Sequence, residues 1–329
     1  MTTAPETTST AGATADDVAN PLEWRDKKRY LWLLGLIPPT ALFVGIGIIT
    51  LSNWLGHTFD NPVTNAISAI SPVWYWIGPL LVYGLLPVLD VFFGPDGANP
   101  PDEIMEQLEN DKYYRYCTYA YVPFQIASLF MAGYLWSSDN LSWMGIDGGL
   151  SLVSKIGLAF SIGAMGGIGI NTAHELGHKK DSLERWLSKI TLAQTFYGHF
   201  YIEHNRGHHV RVATPEDPAS SRFGETFWAF LPRSVWGSLK SSIELERNRL
   251  KRAGKSFWHP SNDVLNAWAL SIVLWGALLA IFGIQILPFL LIQAIYGFSL
   301  LETVNYLEHY GLLRQKTASG RYERCTPQH

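Results

Sequence analysis

Six runs of mostly apolar residues, at roughly 30–55, 73–93, 113–136, 150–172, 263–283 and 285–307, dominate this 329-residue chain. An α-helix rises about 1.5 Å per residue and the hydrocarbon core of a bilayer is about 30 Å thick, so about 20 apolar residues suffice to cross it. Each run is therefore a candidate membrane helix, and the Pro and Gly that several contain are tolerated there. The last two runs meet near Gly283 and should form a hairpin. Only 16% of the residues are charged, against about 25% in soluble domains. The mean hydropathy is nonetheless only +0.06, so the apolar residues are segregated and a large polar insert must balance them. A net charge of -3 argues for neither a nucleic-acid binder nor an acidic scaffold.

Basic residues predict the orientation. Arg25, Lys27, Lys28 and Arg29 precede the first run, 56–72 and 137–149 carry no Lys or Arg, 173–262 carries fourteen, and Arg314, Lys316, Arg321 and Arg324 follow the last run. One topology fits: N-terminus, the 94–112 loop, the 173–262 insert and the C-terminus all cytoplasmic. Lys155 is the exception and can snorkel from the outer end of its helix. Trp54, Trp74, Trp136 and Trp143 fall where an outer aromatic belt is expected. Residues 1–22 lack an apolar run and read as a disordered tail rather than a signal peptide, which leaves 23–329 as one membrane domain. Within the insert, 181–202 and 225–250 have helical apolar spacing, and VATPEDPASSRFGE between them is turn-rich. The expected fold class is thus all-α integral membrane, with six transmembrane helices and a helical cytoplasmic insert. The two cysteines, Cys117 and Cys325, form no CxxC pair, which excludes a disulfide framework and a cysteine-held iron site.

The placement of the ten histidines points to chemistry. His174 and His178 lie in NTAHELGHKK, His204, His208 and His209 in YIEHNRGHHV, and His309 in NYLEHYG, all at one predicted membrane face. Residues i and i+4 share a helix face, so His174 with His178, and His204 with His208, can each aim two imidazoles at one metal. His209 is turned about 100° from His208 and could serve a second ion; His309 converges from another helix. HELGH alone suggests zinc, with Glu175 as general base. A zinc site takes about four ligands, however, and six clustered imidazoles point to two metals, for which iron is suited. Glu175, Glu203 and Glu308 each adjoin a candidate ligand and could orient it, while Asp90 and Glu302 are further candidates near that face. His57, His199, His259 and His329 carry no such signal.

HELGHK at 174–179, EHNRGHHVRVATPEDPASSRFGE at 203–225 and NYLEHYGL at 305–312 resemble the integral-membrane alkane 1-monooxygenases, and the resemblance extends through PVLDVFFGPDGANPPDE at 87–103. It implies six membrane helices and a non-haem site of two iron ions, with His174, His178, His204, His208, His209 and His309 matching the family's ligand positions. It further implies O2 as co-substrate, electrons from rubredoxin supplied by a rubredoxin reductase and NADH, and terminal hydroxylation of medium-chain n-alkanes. The family carries another histidine cluster downstream of NYLEHYG, and none precedes His329 here, so the ligand set within these residues is expected to be incomplete.

An n-alkane has no group to polarise or deprotonate, so a redox metal must supply the reactivity. The second, third, fourth and sixth runs are candidates to line its path from the bilayer. Between 175 and 262 there are fourteen basic and nine acidic residues. Arg249, Lys251 and Arg252, in the densest basic run, are candidate contacts for an acidic electron donor. Three other readings compete: a related di-iron desaturase or aryl-methyl hydroxylase, a membrane zinc protease using HELGH, and a metal transporter, whose ligands would sit nearer the bilayer midplane.

Overall fold

The computed structural model describes residues 26–94 and 100–326, so the tail expected at 1–22, Arg25 and His329 lie outside the described residues. A 3-10 segment, Arg29–Leu36, runs straight into α1 (Ile37–Phe59), whose Pro38 and Pro39 occupy the first turn, where no N–H is needed. Asn61 then opens α2 (Pro62–Ile70) with a capping box to Thr64. Helical turns continue through a 3-10 stretch, α3 (Ile77–Leu80), a π turn and α4 (Leu86–Phe93). After α5 (Asp102–Glu109) come the long α6 (Lys112–Ser137) and α7 (Leu152–Gly177). The insert holds α8 (Ser182–Ala193), α9 (Phe200–Glu203), α10 (His209–Arg211) and α11 (Phe227–Arg252). Two apolar helices close the chain: α12 (Asp263–Phe282) and α13 (Leu287–Glu308). The described residues contain no β-strand, only two isolated bridges.

Among the described residues, five helical stretches are long and apolar enough to cross a membrane: Arg29–Phe59, Pro62–Phe93, Leu152–Gly177, Asp263–Phe282 and Ile284–Glu308. The expected third span corresponds to α6. It has the length, but its first turns read KYYRYCTYAY, and this polar, tyrosine-rich half keeps it out of the apolar five.

Close approach of α7 and α13 forms the centre of the bundle. A Cβ on Gly163 would sit 2.7 Å from the Gln293 carbonyl, and one on Gly167 2.9 Å from the Gly297 carbonyl, so only glycine lets the backbones meet here. The turn between α12 and α13 is made by Gly283 at φ 81°. The two helices lean on different partners, α13 on α7 and α12 on α8.

The insert is helical, but its first part does not stay outside the bundle. α8 runs back down alongside α7: Ser188 Oγ donates to the Ala173 carbonyl at 2.7 Å, and Gln194 Nε2 to the Ile162 carbonyl at 3.1 Å. Ile162 lies twelve residues before His174, a depth of about 18 Å along a helix. The tip is fastened by amides that bond one another inside the bundle: Gln125 Nε2 donates to Gln194 at 2.7 Å, Gln194 to Gln293 at 3.1 Å, and Gln293 and Trp275 back to the Gln194 carbonyl. These bonds offset part of the penalty of burying the amides, while Gln125 Oε1 stays without a partner. The chain turns at Phe196 (φ 55°) and climbs back through α9 to the histidines.

At the opposite end, Trp54 and Trp143 are exposed as expected of an outer belt, but Trp136 is buried, donating to the Gln285 carbonyl at 3.0 Å, and Trp74 is half-buried. Lys155 lies 5.8 Å from the Trp136 ring.

Candidate metal centre

The last turn of α7 places His174 and His178 one above the other, with their Nε2 atoms 3.0 Å apart. A second pair comes from the chain returning out of the re-entrant hairpin. Residues His204–His208 form a π turn, in which the His209 N–H bonds the His204 carbonyl. The wider i→i+5 turn stacks residues five apart rather than four. His209, not His208, therefore joins His204 over the α7 pair; the α-helical spacing expected for His204 and His208 does not hold here. His209 Nε2 lies 3.4 Å from His178 Nε2. One nitrogen from each of His174, His178, His204 and His209 falls within 4.8 Å of the others. An ion with metal–nitrogen bonds of about 2.0–2.1 Å separates neighbouring ligand nitrogens by about 2.9–3.4 Å, so the two measured contacts already have ligand spacing.

The remaining two histidines form a second group. His208 and His309, the latter at the end of α13, have ring centroids 4.9 Å apart. His204 bridges the groups, 4.4 Å from the His174 ring and 5.3 Å from the His208 ring. His208 Nδ1 is paired with Asp217 Oδ2 at 2.9 Å, and Asp217 also accepts from Ser220 Oγ at 2.6 Å and from the Ala219 amide. Asp217 is wholly buried. It holds the outer nitrogen of His208 and leaves Nε2 to face the other histidines, the arrangement by which carboxylates orient metal-binding imidazoles. The sequence reading missed Asp217, because an acidic residue between Pro215 and Pro218 reads as turn chemistry.

Electrostatics favour uncharged imidazoles. Burial, followed by repulsion from the other histidines, pushes His204 down to about 2. Burial first and His208 second push His309 down to about 4. His178 and His209 are lowered for the same reasons. Neutral imidazole is the form that binds metal. His204 Nε2 and His309 Nδ1 are buried without a hydrogen-bond partner. Such atoms are costly unless something accepts their lone pairs or protons, and a cation among these rings would do so. The donor set thus fits a metal centre.

A lattice of ion pairs holds the π turn from behind. Arg206, within it, reaches Glu246 at 2.7 Å and Asp263 at 2.8 Å; Asp263 also binds Lys189, and its amide donates to Glu246 at 2.7 Å. Below the turn, Glu203 is buried and accepts from Arg211 at 2.8 Å. Burial pushes its carboxyl up to about 7, against the opposing pull of Ser241 and Arg211.

The other sequence candidates fall as follows. Glu175 meets His174 Nδ1 at 3.1 Å but is 61% exposed. Glu203 pairs with Arg211 rather than with a histidine. Glu302 is buried and accepts from Tyr197 at 2.7 Å and Ser234 at 2.6 Å, tying the re-entrant hairpin and α11 to α13. Asp90 and Glu308 are exposed, and among the described residues neither is hydrogen-bonded to a histidine. Arg249 is not a free surface cation: Glu246 holds it at 2.6 Å, and it donates to the Ser261 carbonyl. Lys251 and Arg252 are exposed. His57 lies 3.4 Å from the Gly145 carbonyl at the other end of the bundle, His199 is buried against Tyr197, and His259 bonds Ser261.

Fold and site together define a multi-pass membrane protein with a polyhistidine metal centre at one end of its bundle. Comparison with known proteins narrows this class. The family described as fatty acid desaturase matches residues 152–329. An alkane 1-monooxygenase of Acinetobacter baylyi is 46% identical over 304 residues, covering 92% of this chain and 69% of that protein. The Pseudomonas putida alkane 1-monooxygenase is 41% identical over 307 residues, 93% and 70% of the two chains. A xylene/toluene monooxygenase hydroxylase component from the same species is 32% identical over 144 residues, 43% and 38% of the two chains. The chain belongs to the alkane 1-monooxygenase family.

Proposed function

We propose that this protein hydroxylates the terminal methyl of medium-chain n-alkanes at a di-iron centre, with His174, His178, His204 and His209 on one iron and His208 and His309 on the other. The convergence of four imidazoles at the membrane end of α7 carries the reading. Bound iron supplies the one-electron redox chemistry and O2 activation that an unfunctionalised alkane requires. The protein binds and orients. Asp217 and, more weakly, Glu175 fix the ring orientation of His208 and His174. The π turn brings His204 between the two groups.

An apolar cavity of about 250 Å³ lies between α1, the 71–93 turns and α7, lined by Leu42, Trp74, Leu81, Leu158, Met165 and Ile168 among others. Its lining ends at Ile168, six residues before His174, or about 9 Å along α7. This supports alkane entry from the bilayer through the first, second and fourth spans, in place of the wall expected from the second, third, fourth and sixth. α6 is read as a span too, the third in chain order, its tyrosines at the membrane boundary. With the basic residues arranged as they are, the metal end faces the cytoplasm of a bacterial inner membrane. Rubredoxin, reduced through its reductase by NADH, is the proposed electron donor, with exposed Lys251 and Arg252 as contacts.

The test is elemental analysis of the purified protein together with product analysis in reconstituted membranes supplied with O2 and reduced rubredoxin. Iron near two per chain and 1-alkanol from octane are expected. Zinc without iron, or an alkene in place of the alcohol, would overturn the reading.

A further inference from the structure

The first half of α11 packs against the last turns of α13. Phe227 and Phe230 pack on Tyr306, with ring centroids at 5.8 and 5.4 Å, and Ser234 Oγ donates to Glu302 at 2.6 Å. Tyr306 and Glu302 lie in the last turns of the apolar span Ile284–Glu308. Glu302 is six residues before its end, or about 9 Å inside. The far end of α11 is at another level: Glu246 receives the amide of Asp263, the first residue of the span Asp263–Phe282. From Ser234, beside Glu302, the helix therefore runs outward to the edge of the spanning bundle at Glu246.

Its outward face changes character over the same distance. The exposed positions of the first half are Trp228, Ala229, Pro232 and Trp236, with Trp228 79% and Trp236 58% exposed. Those of the second half are Lys240, Glu244, Arg247, Asn248, Lys251 and Arg252. Lys240 Nζ lies 5.1 Å from the Trp236 ring, at the changeover. Beside the start of α11, Phe223 is 87% exposed and Leu307 69%. Large aromatic side chains so exposed at that depth are out of place against water, whereas a Trp-then-Lys order along a helix is what the boundary between acyl chains and headgroups selects.

We infer that the first half of α11 lies in the headgroup layer of the membrane, with Trp228 and Trp236 facing lipid and Lys240 reaching lipid phosphate. The insert is then a membrane-surface structure up to about Lys240 and an aqueous one beyond it. The occupant of this face is lipid: it continues the surface of α13 that exposes Val304 and Leu307, and its polarity changes at Lys240, between Ser234 beside Glu302 and Glu246 at the bundle edge.

Nitroxide labels test this on the full chain. With Cys117 and Cys325 replaced by Ser, labels are placed through W228C, W236C and E244C, with F223C as a second reporter should a Trp variant fail to fold. Each protein is reconstituted in phosphatidylethanolamine–phosphatidylglycerol vesicles. Collision with O2, which partitions into lipid, is compared with collision with a water-soluble nickel chelate. The 228, 236 and 223 labels should favour O2 and the 244 label nickel, with a several-fold difference in their ratios. Nickel access at 228, 236 and 223 equal to that at 244 would show a water-facing helix and overturn the inference. Exclusion of both reagents, with spin–spin broadening lost on dilution with unlabelled protein, would assign the face to a second copy of the chain and overturn it as well.

Discussion

The two halves of the metal centre are built on different plans. The first gathers four imidazoles from two rigid turns, and its one associated carboxylate, Glu175, is mostly exposed. The second has two imidazoles, His208 and His309, but its carboxylate Asp217 is fully buried and itself held by Ser220 and the Ala219 amide. Geometry in the first half is set by ligand number, since four rings converging from an α-helical and a π turn leave little freedom. Orientation in the second depends on one buried hydrogen bond. The halves should therefore fail in different ways, and the residue they share should matter most. His204 has rings of both groups within 5.3 Å. His204→Ala is expected to weaken iron binding by more than about 100-fold, beyond the range that outer partners command. Elemental analysis after dialysis reads the loss. Full retention of iron would show that the four-ring convergence is not a metal site.

Asp217→Asn sharpens the contrast. The amide keeps the shape but no longer fixes which nitrogen of His208 carries the proton. Loss of an orienting carboxylate costs about 10–100-fold in metal affinity. That loss should fall on the second ion alone, so titration with Co²⁺, followed by its visible absorption, should retain one tight step and weaken the other. Equal weakening of both steps would mean that the halves are not separate in the way the geometry implies.

Much of this was legible in the sequence, for identifiable reasons. Membrane spans follow from apolar length, and five of the six expected were apolar enough to be recognised again in the structure; α6 was not, because Tyr113, Tyr114 and Tyr116 dilute its first half. The six histidines were found because their residue type is rare in such segments. The π turn at His204–His208, which adds His209 to the first group, was not legible because i,i+4 logic presumes an α-helix. The re-entrant α8 was read as part of a surface insert because its amphipathic pattern is the same whether Glu184 and Lys189 meet water or meet Arg115, Tyr119 and Asp263. Asp217 and the Arg206–Glu246–Asp263 lattice were invisible because each pairs residues far apart in the chain or hidden in a turn.

The lattice acts on both halves at once, since it holds Arg206 between His204 and His208. Glu246 is buried, and burial alone would raise its carboxyl, but Arg249, the Asp263 amide and Arg206 outweigh this and hold it below its ordinary value of 4.5. A folded value below the unfolded one means that the unfolded chain binds more protons in acid. The stabilisation is therefore complete above the ordinary carboxylate value and is lost as pH falls through the depressed one. Glu246→Gln should lower stability by about 1–2 kcal/mol near neutral pH and flatten the decline in thermal midpoint on acidification. It should weaken both Co²⁺ steps alike. A selective effect on one step would place the lattice with that half alone.

The smallest effect is expected at Glu175, and it bears most directly on the comparison. Glu175 and Asp217 make the same kind of contact, a carboxylate oxygen to an imidazole Nδ1 at 3.1 and 2.9 Å. They differ in exposure, and exposed pairs are worth at most about 1 kcal/mol because solvent screens them. His174 is also fixed independently, by its place in α7 and by three neighbouring imidazoles. Glu175→Gln should thus shift the first Co²⁺ step by less than about 5-fold while Asp217→Asn shifts the second by more. Should Glu175→Gln prove as damaging as Asp217→Asn, ligand number would not be what defines the first half, and both ions would depend equally on a carboxylate behind one ring.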